Sequence, residues 1–251
     1  MTTPTTPSAW RYSTSSGSSR VDSLLAGTQW VENIITFSFI ENYSWFALNY
    51  PENNTNVRPL TSSDRAAVRR ALLSWANVAN LTLLETSETP TNVGVLRFGY
   101  GWTMASSDGE AWAYFPGSLP WAGDVWFNVR GNSNKISWTE GNYSFETAIH
   151  EIGHAIGLKH PFDSLDLNSQ TLPVNLDTRS WTVMSYSALS GDRSTHFSYE
   201  PTTPMILDIS AIQAVYGANS KYNSNDTVYT FYQGVDYHQT IWDAGGNDTI
   251  V

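Results

Sequence analysis

The 251-residue chain has no cysteine, so disulfides cannot report its compartment. Charged residues make up only 14% of it, and the formal net charge is −10. This negative charge disfavours nucleic acid and anionic membranes as partners. The sequence has no apolar run long enough to span a bilayer, so we expect no membrane span. Its N-terminus lacks the basic and apolar regions of a secretory signal peptide.

The chain is rich in apolar residues although it has few charged ones. Hydrophobic residues account for 41% of the chain, which is enough for a sizeable core. Eleven tryptophans are many for this length. We expect some of them in the core and others along a cleft that receives extended peptide.

The segment from His150 to His160 has the spacing of a zinc site. Residues four apart share one face of a helix, so His150 and His154 can point at one metal ion. Gly157 can adopt a positive φ and end the helix, and the reversed chain can then bring His160 back as a third ligand. Three protein ligands leave one position open for water, as catalytic zinc requires. Glu151 lies next to His150, within reach of that water.

This segment resembles the long zinc motif of the metzincin metallopeptidases. Further along, Val183-Met184-Ser185-Tyr186 resembles the Met-turn of that family, in which the methionine forms an apolar floor beneath the zinc. A tyrosine two places after the methionine is typical of serralysins and astacins. The resemblance therefore implies that the phenol of Tyr186 assists catalysis by stabilising the oxyanion.

Three longer stretches resemble serralysins in particular. They are the run from Thr147 to Pro161, the segment from Leu207 to Asn219, which resembles the helix that closes the protease domain, and Trp242 to Asp248, which resembles the start of a calcium-binding glycine–aspartate (RTX) region. The pattern stops at Val251, within its first turn, which fits either a truncated or a naturally short chain.

A calcium ion is implied by the same resemblance, because glycine–aspartate turns supply the oxygen ligands that calcium prefers. The matching positions in the family lie in two turns: Asn225, Thr227, Asp243, Gly245, Gly246 and Asp248. Gly-Asn-Asp also forms ordinary turns, so a purely structural turn remains an alternative.

Regular elements follow from hydrophobic periodicity. Alternation predicts a strand over Ile34–Ile40, and short apolar runs predict strands over 81–84 and 93–98. Thr61 with Asp64 indicates a helix start, and a second helix is predicted from about Pro204 to Tyr216, ending at Gly217. The zinc-motif helix has its own buried stripe, formed by Phe145, Ala148, Ile149, Ile152 and Ile156.

Residues 111–117 resemble the edge strand over the metzincin cleft. Such an edge can bind an extended peptide as an added strand, so Trp112, Ala113 and Tyr114 are candidate substrate-binding residues. Pro116 ends the strand. Trp112 stands where matrix metalloproteinases place a histidine that binds a structural zinc, so we expect no second zinc.

The predicted fold is α+β: a metzincin (zincin-like) protease domain with a mixed, twisted sheet and two long helices in its N-terminal subdomain. A smaller C-terminal part carries the Met-turn and the closing helix, and the zinc cleft lies between the two parts. We expect residues 1–20 to be a flexible segment, either a propeptide or a plain tail. Residues 21–219 would form the protease domain, and 220–251 the start of an incomplete calcium-binding region.

The resemblance implies a secreted, monomeric zinc endopeptidase that cleaves protein or peptide substrates by a metal-activated water, with Glu151 as general base. Export would follow a bacterial route that needs no signal peptide, and a proteinaceous inhibitor is a further expected partner. Two alternatives stay open from the residues alone. One is a catalytically silent binding module that keeps the fold, and the other is an enzyme acting on a small amide.

Overall fold

The computed structural model describes residues 8–47, 50–52, 57–102, 109–128 and 137–251. Its strands are β1 (Trp10–Tyr12), β2 (Thr28–Trp30), β3 (Ile34–Phe39), β4 (Thr82–Glu85), β5 (Leu96–Gly101), β6 (Ala111–Ala113), β7 (Val125–Asn128), β8 (Val228–Tyr229) and β9 (Thr249–Ile250). Its helices are α1 (Ser19–Asp22), α2 (Ser62–Val78), α3 (Tyr143–Ala155) and α4 (Ile206–Tyr216).

The main sheet has five strands in the order β4-β3-β5-β7-β6. The first four run parallel, while β6 pairs antiparallel with β7 and forms the edge. Strand β3 alternates as its sequence predicts, with Ile35, Phe37 and Phe39 in the core. The predicted mixed sheet is confirmed.

Two long helices pack beside this sheet. The hydroxyl of Thr61 accepts a hydrogen bond from the Asp64 amide and caps α2 as predicted. Trp75 on α2 is fully buried, and its indole N–H donates to the Ile149 carbonyl of α3 at 3.0 Å. This bond fixes α2 against the helix that carries the zinc motif. Among the described helices, none is both long and apolar enough to cross a bilayer.

A tight turn at Gly157 follows α3. Gly157 has φ +111°, a value that side chains rarely tolerate. Beyond it, the chain pairs with an earlier segment: the Ala26 amide donates to the Gly157 carbonyl at 2.9 Å, and the Lys159 amide donates to the Leu24 carbonyl at 2.8 Å. The predicted end of the helix at this glycine is confirmed, and the two bonds set the path of the chain toward His160.

The closing helix α4 begins two residues later than predicted and ends at Gly217, which has φ +85°. It leads into the C-terminal strands β8 and β9, which pair in parallel over two residues.

The N-terminal segment differs from the predicted flexible segment over residues 1–20. Strand β1 pairs antiparallel with β2, so that Trp10 lies opposite Trp30. The carboxylate of Asp22 accepts bonds from the Ser15 hydroxyl and the Ser16 amide, at 2.5 and 2.7 Å. These long-range pairings leave no periodic signal in a Ser- and Thr-rich sequence. Residues 1–7 lie outside the described part.

Replacing Gly157 with alanine is expected to lower the free energy of unfolding by about 2–5 kcal/mol. The cost combines a strained φ with overpacking, because the added Cβ would lie 2.6 Å from the Thr28 carbonyl oxygen. Gly17→Ala is the matched control, since Gly17 has φ +83° but nothing within 4 Å of an added Cβ. Urea unfolding of both variants measures the difference. Equal losses would show that the contact with Thr28 contributes nothing.

Candidate metal centre and cleft

Three imidazoles converge at the end of α3. The Nε2 atom of His160 lies 3.2 Å from that of His150 and 3.0 Å from that of His154. Tetrahedral zinc with Zn–N distances of about 2.0–2.1 Å keeps its nitrogens roughly 3.3 Å apart. Within the described residues, no other group of three or more His, Asp or Glu side chains brings its ligand atoms together. The donor set therefore fits the predicted zinc.

The opposite ring nitrogens are all occupied by acceptors. The Nδ1 of His150 lies 2.7 Å from the Val183 carbonyl, that of His154 lies 2.8 Å from the Leu158 carbonyl, and that of His160 lies 2.7 Å from Asp163 Oδ2. Because these acceptors require a proton on Nδ1, each Nε2 presents its lone pair to the centre. The arrangement selects the tautomer that binds a metal.

Burial keeps two of these rings neutral. It lowers the pKa of His150 to about 3 and that of His154 well below its ordinary value, and the neighbouring His160 lowers both further. Neutral imidazole is the form that coordinates a cation, so at neutral pH these ligands need not lose a proton first.

Glu151 follows His150 on α3 and lines the same cavity as this imidazole. It is buried, and its Oε2 has no hydrogen-bond partner among the described residues. Burial raises its pKa to about 8. A cation held by the three imidazoles would act in the opposite direction, because positive charge favours the ionised carboxylate.

Tyr186 lies over the same site. Its ring centroid is 5.6 Å from that of His150 and 4.6 Å from that of His160, and the residue is 43% exposed. Burial of the phenol and the nearby Glu151 raise its pKa above the ordinary value, so the hydroxyl remains a proton donor. Tyr186, Glu151 and His150 line one cavity of about 280 Å³.

Met184 is fully buried against α3. A Cβ added to Gly153 would lie 2.6 Å from the Met184 sulfur, so the helix has room for the methionine only because residue 153 is glycine. The neighbouring main chain is held by Asp208 of α4, whose Oδ2 accepts from the Val183 amide at 2.7 Å and from the Met205 amide at 2.8 Å.

Sequence reasoning did not find Asp208, although it aligns the carbonyl that orients His150. Burial raises the pKa of Asp208 to about 7, and its three hydrogen bonds act in the opposite direction. The available signal was an acidic residue in the first turn of a predicted helix. That pattern predicts a cap but cannot predict which distant segment the carboxylate also holds.

Sequence reasoning also missed a buried ion pair behind the cleft. The guanidinium of Arg179 donates to both carboxylate oxygens of Glu200, at 3.0 and 3.1 Å, and both side chains are only 2% exposed. The same guanidinium donates to the Tyr186 carbonyl at 2.8 Å. The pair therefore positions the main chain of Tyr186.

The three predicted substrate-binding residues of the edge strand do not all face the same way. The Trp112 indole N–H and the Tyr114 hydroxyl both donate to Glu52 Oε1, at 2.9 and 2.8 Å, so these side chains share a face of the sheet. Main-chain bonding to β7 uses Tyr114, whose amide donates to the Asp124 carbonyl. By the alternation of an antiparallel pair, Ala113 directs its main-chain groups to the open edge.

The opposite face of this strand continues toward the metal centre. Phe115 lies two residues after Ala113, and its ring centroid is 5.5 Å from that of His154. Ala113 itself is half-buried and packs against the core.

The two C-terminal turns are joined by carboxylates. Asp248 Oδ1 accepts from the Thr227 amide at 2.9 Å, and Asp226 Oδ1 accepts from the Asn247 amide at 2.9 Å. Asp243 Oδ1 accepts from the Gly245 amide at the same distance. Gly246 has φ +125°, and a Cβ there would lie 2.7 Å from the main chain of Asn225, so the turns approach closely.

Comparison with known proteins agrees with this site. The model of the matrixin peptidase family matches residues 41–180, more than half of the chain. The chain is 32% identical over 238 residues to serralysin of Photorhabdus sp. (strain Az29), 33% over 242 residues to serralysin B of Dickeya chrysanthemi and 35% over 237 residues to serralysin C of the same organism.

Each of these alignments covers 86% of this chain but only 47–48% of the relative. The chain thus spans about half the length of the curated relatives it matches. The matrixin match covers all three histidines of the zinc motif, and the serralysin similarity extends over 86% of the chain. The chain belongs to the matrixin family of peptidases and is of the serralysin type.

Proposed function

We propose that this chain is the protease domain of a zinc-dependent endopeptidase that hydrolyses peptide bonds of protein substrates. The observation that carries the proposal is the convergence of three Nε2 atoms next to the buried carboxylate of Glu151, one oxygen of which has no partner within the described part of the chain. A silent binding module would not need Glu151 at that position. The family match and the similarity to serralysins support the same reaction class.

His150, His154 and His160 would hold the zinc. When bound, the ion supplies a Lewis acid that polarises the peptide carbonyl and makes water a better nucleophile at neutral pH. Glu151 acts as general base: its Oε2 accepts a proton from the attacking water and later donates it to the leaving amine. The depth of this carboxylate favours the step, because bulk water does not compete for the oxygen.

Two further residues act on this step in different ways. The phenol of Tyr186 donates a hydrogen bond to the oxyanion as it forms. Met184 forms the apolar floor of a Met-turn, filling the space beside Gly153 so that the histidine helix cannot shift.

Substrate binding uses the open edge of β6. An extended peptide pairs with the main-chain groups of Ala113, while Trp112 and Tyr114 hold the strand in place through Glu52. A cleft with an open strand edge suits an extended polypeptide better than a small amide, which cannot pair with that edge. We propose protein or peptide substrates, a monomeric enzyme, and a proteinaceous inhibitor as a further partner for the same edge.

We also propose that the enzyme works outside the cell after export by a signal-peptide-independent bacterial route. In this proposal, residues 21–219 form the protease domain, and residues 220–251 form the start of a calcium-binding region. The calcium ligands would be those of the two C-terminal turns, where carboxylates and carbonyls supply the hard oxygen donors that calcium prefers.

Glu151→Gln is expected to retain one zinc per chain and to lose about 10²–10⁴-fold in kcat, because the three imidazoles remain while the general base is gone. Zinc content is measured by atomic absorption, and turnover on casein is measured with and without a zinc chelator. A zinc-loaded variant with near-normal turnover would contradict the assigned role of Glu151.

Calcium is expected to raise the melting temperature of the chain, since a ligand that binds only the folded state stabilises it by mass action. Calcium should slow amide exchange most in residues 220–251, around Asp243 and Asp248, and should leave exchange in α3 unchanged. The comparison uses calcium and a calcium-selective chelator that spares zinc. Identical melting and exchange in both conditions would leave these turns purely structural.

A further inference from the structure

Glu146 is a buried acid that the proposed reaction does not use. It lies on α3 four residues before His150, so both side chains occupy the same face of the helix. Glu146 is 3% exposed, and its Oε1 has no hydrogen-bond partner among the described residues. Burying a carboxyl group without a partner is costly, and such groups concentrate where a ligand completes the hydrogen bonding.

The arginine that acts most strongly on Glu146 is already paired with another carboxylate. Burial raises the pKa of Glu146, and Arg179 carries the positive charge that opposes this rise, but its guanidinium donates to Glu200, to the Tyr186 carbonyl and to the Thr195 carbonyl. Among the described residues, no ion pair includes Glu146. In the described part of the chain, the carboxyl group thus has no counter-ion of its own.

The cavity that Glu146 lines contains three acidic side chains. Its acidic residues are Glu110, Glu146 and Glu151. Of its two arginines, Arg179 is balanced by Glu200, and the guanidinium of Arg193 lies 3.6 Å from the centre of the Phe162 ring. A cationic group that enters the cavity therefore meets the Glu146 carboxyl group, which no guanidinium group of the described residues pairs with, and its positive charge favours the ionised carboxylate.

The walls suit a long basic side chain. Tyr143, Tyr186 and His196 line the same cavity as Glu146, and its volume is about 280 Å³. Aromatic walls pack against the methylene stem of lysine or arginine, and the charged end can still reach a carboxylate. Neutral side chains of equal length would fill the space but leave Glu146 unpaired.

We propose that Glu146 is a specificity-determining residue, and that the cavity receives the lysine or arginine side chain of a substrate residue adjacent to the scissile bond. This inference rests on the proposed peptidase function. The entering cation pairs with the Glu146 carboxylate, which has a free oxygen among the residues that the structure describes. Because the pairing occurs beside Glu151 and the imidazoles, it also aligns the peptide at the reacting carbonyl.

The test uses the zinc-loaded chain and two pairs of peptides that differ only by lysine or norleucine, either just before or just after the scissile bond. In one pair, the wild-type ratio of kcat/KM for lysine over norleucine should be about tenfold or more. Glu146→Gln should reduce that ratio about ten- to a hundredfold, the range set by hydrogen bonds to charged groups. Glu140→Gln is the matched control, since Glu140 is exposed and pairs with Arg70 outside the cavity.

A second arm measures binding of the same peptides by calorimetry in the Glu151→Gln background, with and without Glu146→Gln. Lysine selectivity that depends on Glu146 in this arm supports the cavity even if turnover fails. A chain that cleaves no peptide overturns the proposed peptidase function, and the binding arm then decides on the cavity alone. Equal affinity for lysine and norleucine peptides, or lysine selectivity that survives Glu146→Gln in a variant with an unchanged melting curve, overturns the assignment.

Discussion

Three hydrogen bonds from histidine Nδ1 atoms hold the metal centre in shape, and the rest of the cleft depends on them. Their acceptors are the Leu158 carbonyl, the Val183 carbonyl and the Asp163 carboxylate. Each acceptor comes from a different part of the chain after the zinc helix. Removing a hydrogen-bond partner of this kind typically lowers the metal affinity by about 10–100-fold.

The fold positions each acceptor by a separate device. Leu158 is fixed by the Gly157 turn and its pairing with residues 24–26. Val183 is fixed by Asp208 of α4. The loop that carries Asp163 is tied down by Lys159, whose buried ammonium donates to the Asp163 and Gln170 carbonyls at 2.6 and 2.7 Å. The glycine turn, the closing helix and the loop thereby converge on one cluster of imidazoles.

Burial has opposite consequences for the bases and the acids of this site. It lowers the pKa of His150 and His154, which keeps them ready to bind a cation, and raises the pKa of Glu146 and Glu151. A buried site thus holds neutral ligands beside carboxyl groups that gain most from a positive charge. A cation in the imidazole cluster offsets this cost for Glu151, and a basic substrate side chain offsets it for Glu146.

The sequence predicted the elements whose side chains repeat with a clear period. Helix α2 and strand β3 show their buried faces directly, and the histidine spacing with Gly157 predicts the metal centre because four of its determinants lie within one short segment. Asp208, Asp163 and the Arg179–Glu200 pair could not be found this way. Each is polar, isolated in sequence and defined only by a contact that the folded chain brings together.

Register explains the remaining differences. Trp112, Ala113 and Tyr114 are neighbours in sequence, but alternation along β6 turns two of them toward Glu52 and leaves Ala113 for the open edge. Strand β1 forms because residues 10–12 pair with β2. Their own sequence is too short to establish the alternation of apolar and polar residues that predicts a strand. Pairing partners distant in sequence decide both outcomes.

X-ray absorption at the zinc edge, recorded on the zinc-loaded chain, tests the central claim most directly. The account predicts one zinc per chain with three imidazole nitrogens at about 2.0–2.1 Å and one further light-atom ligand. A spectrum with fewer than three imidazoles, or a chain that takes up no stoichiometric zinc, would contradict it.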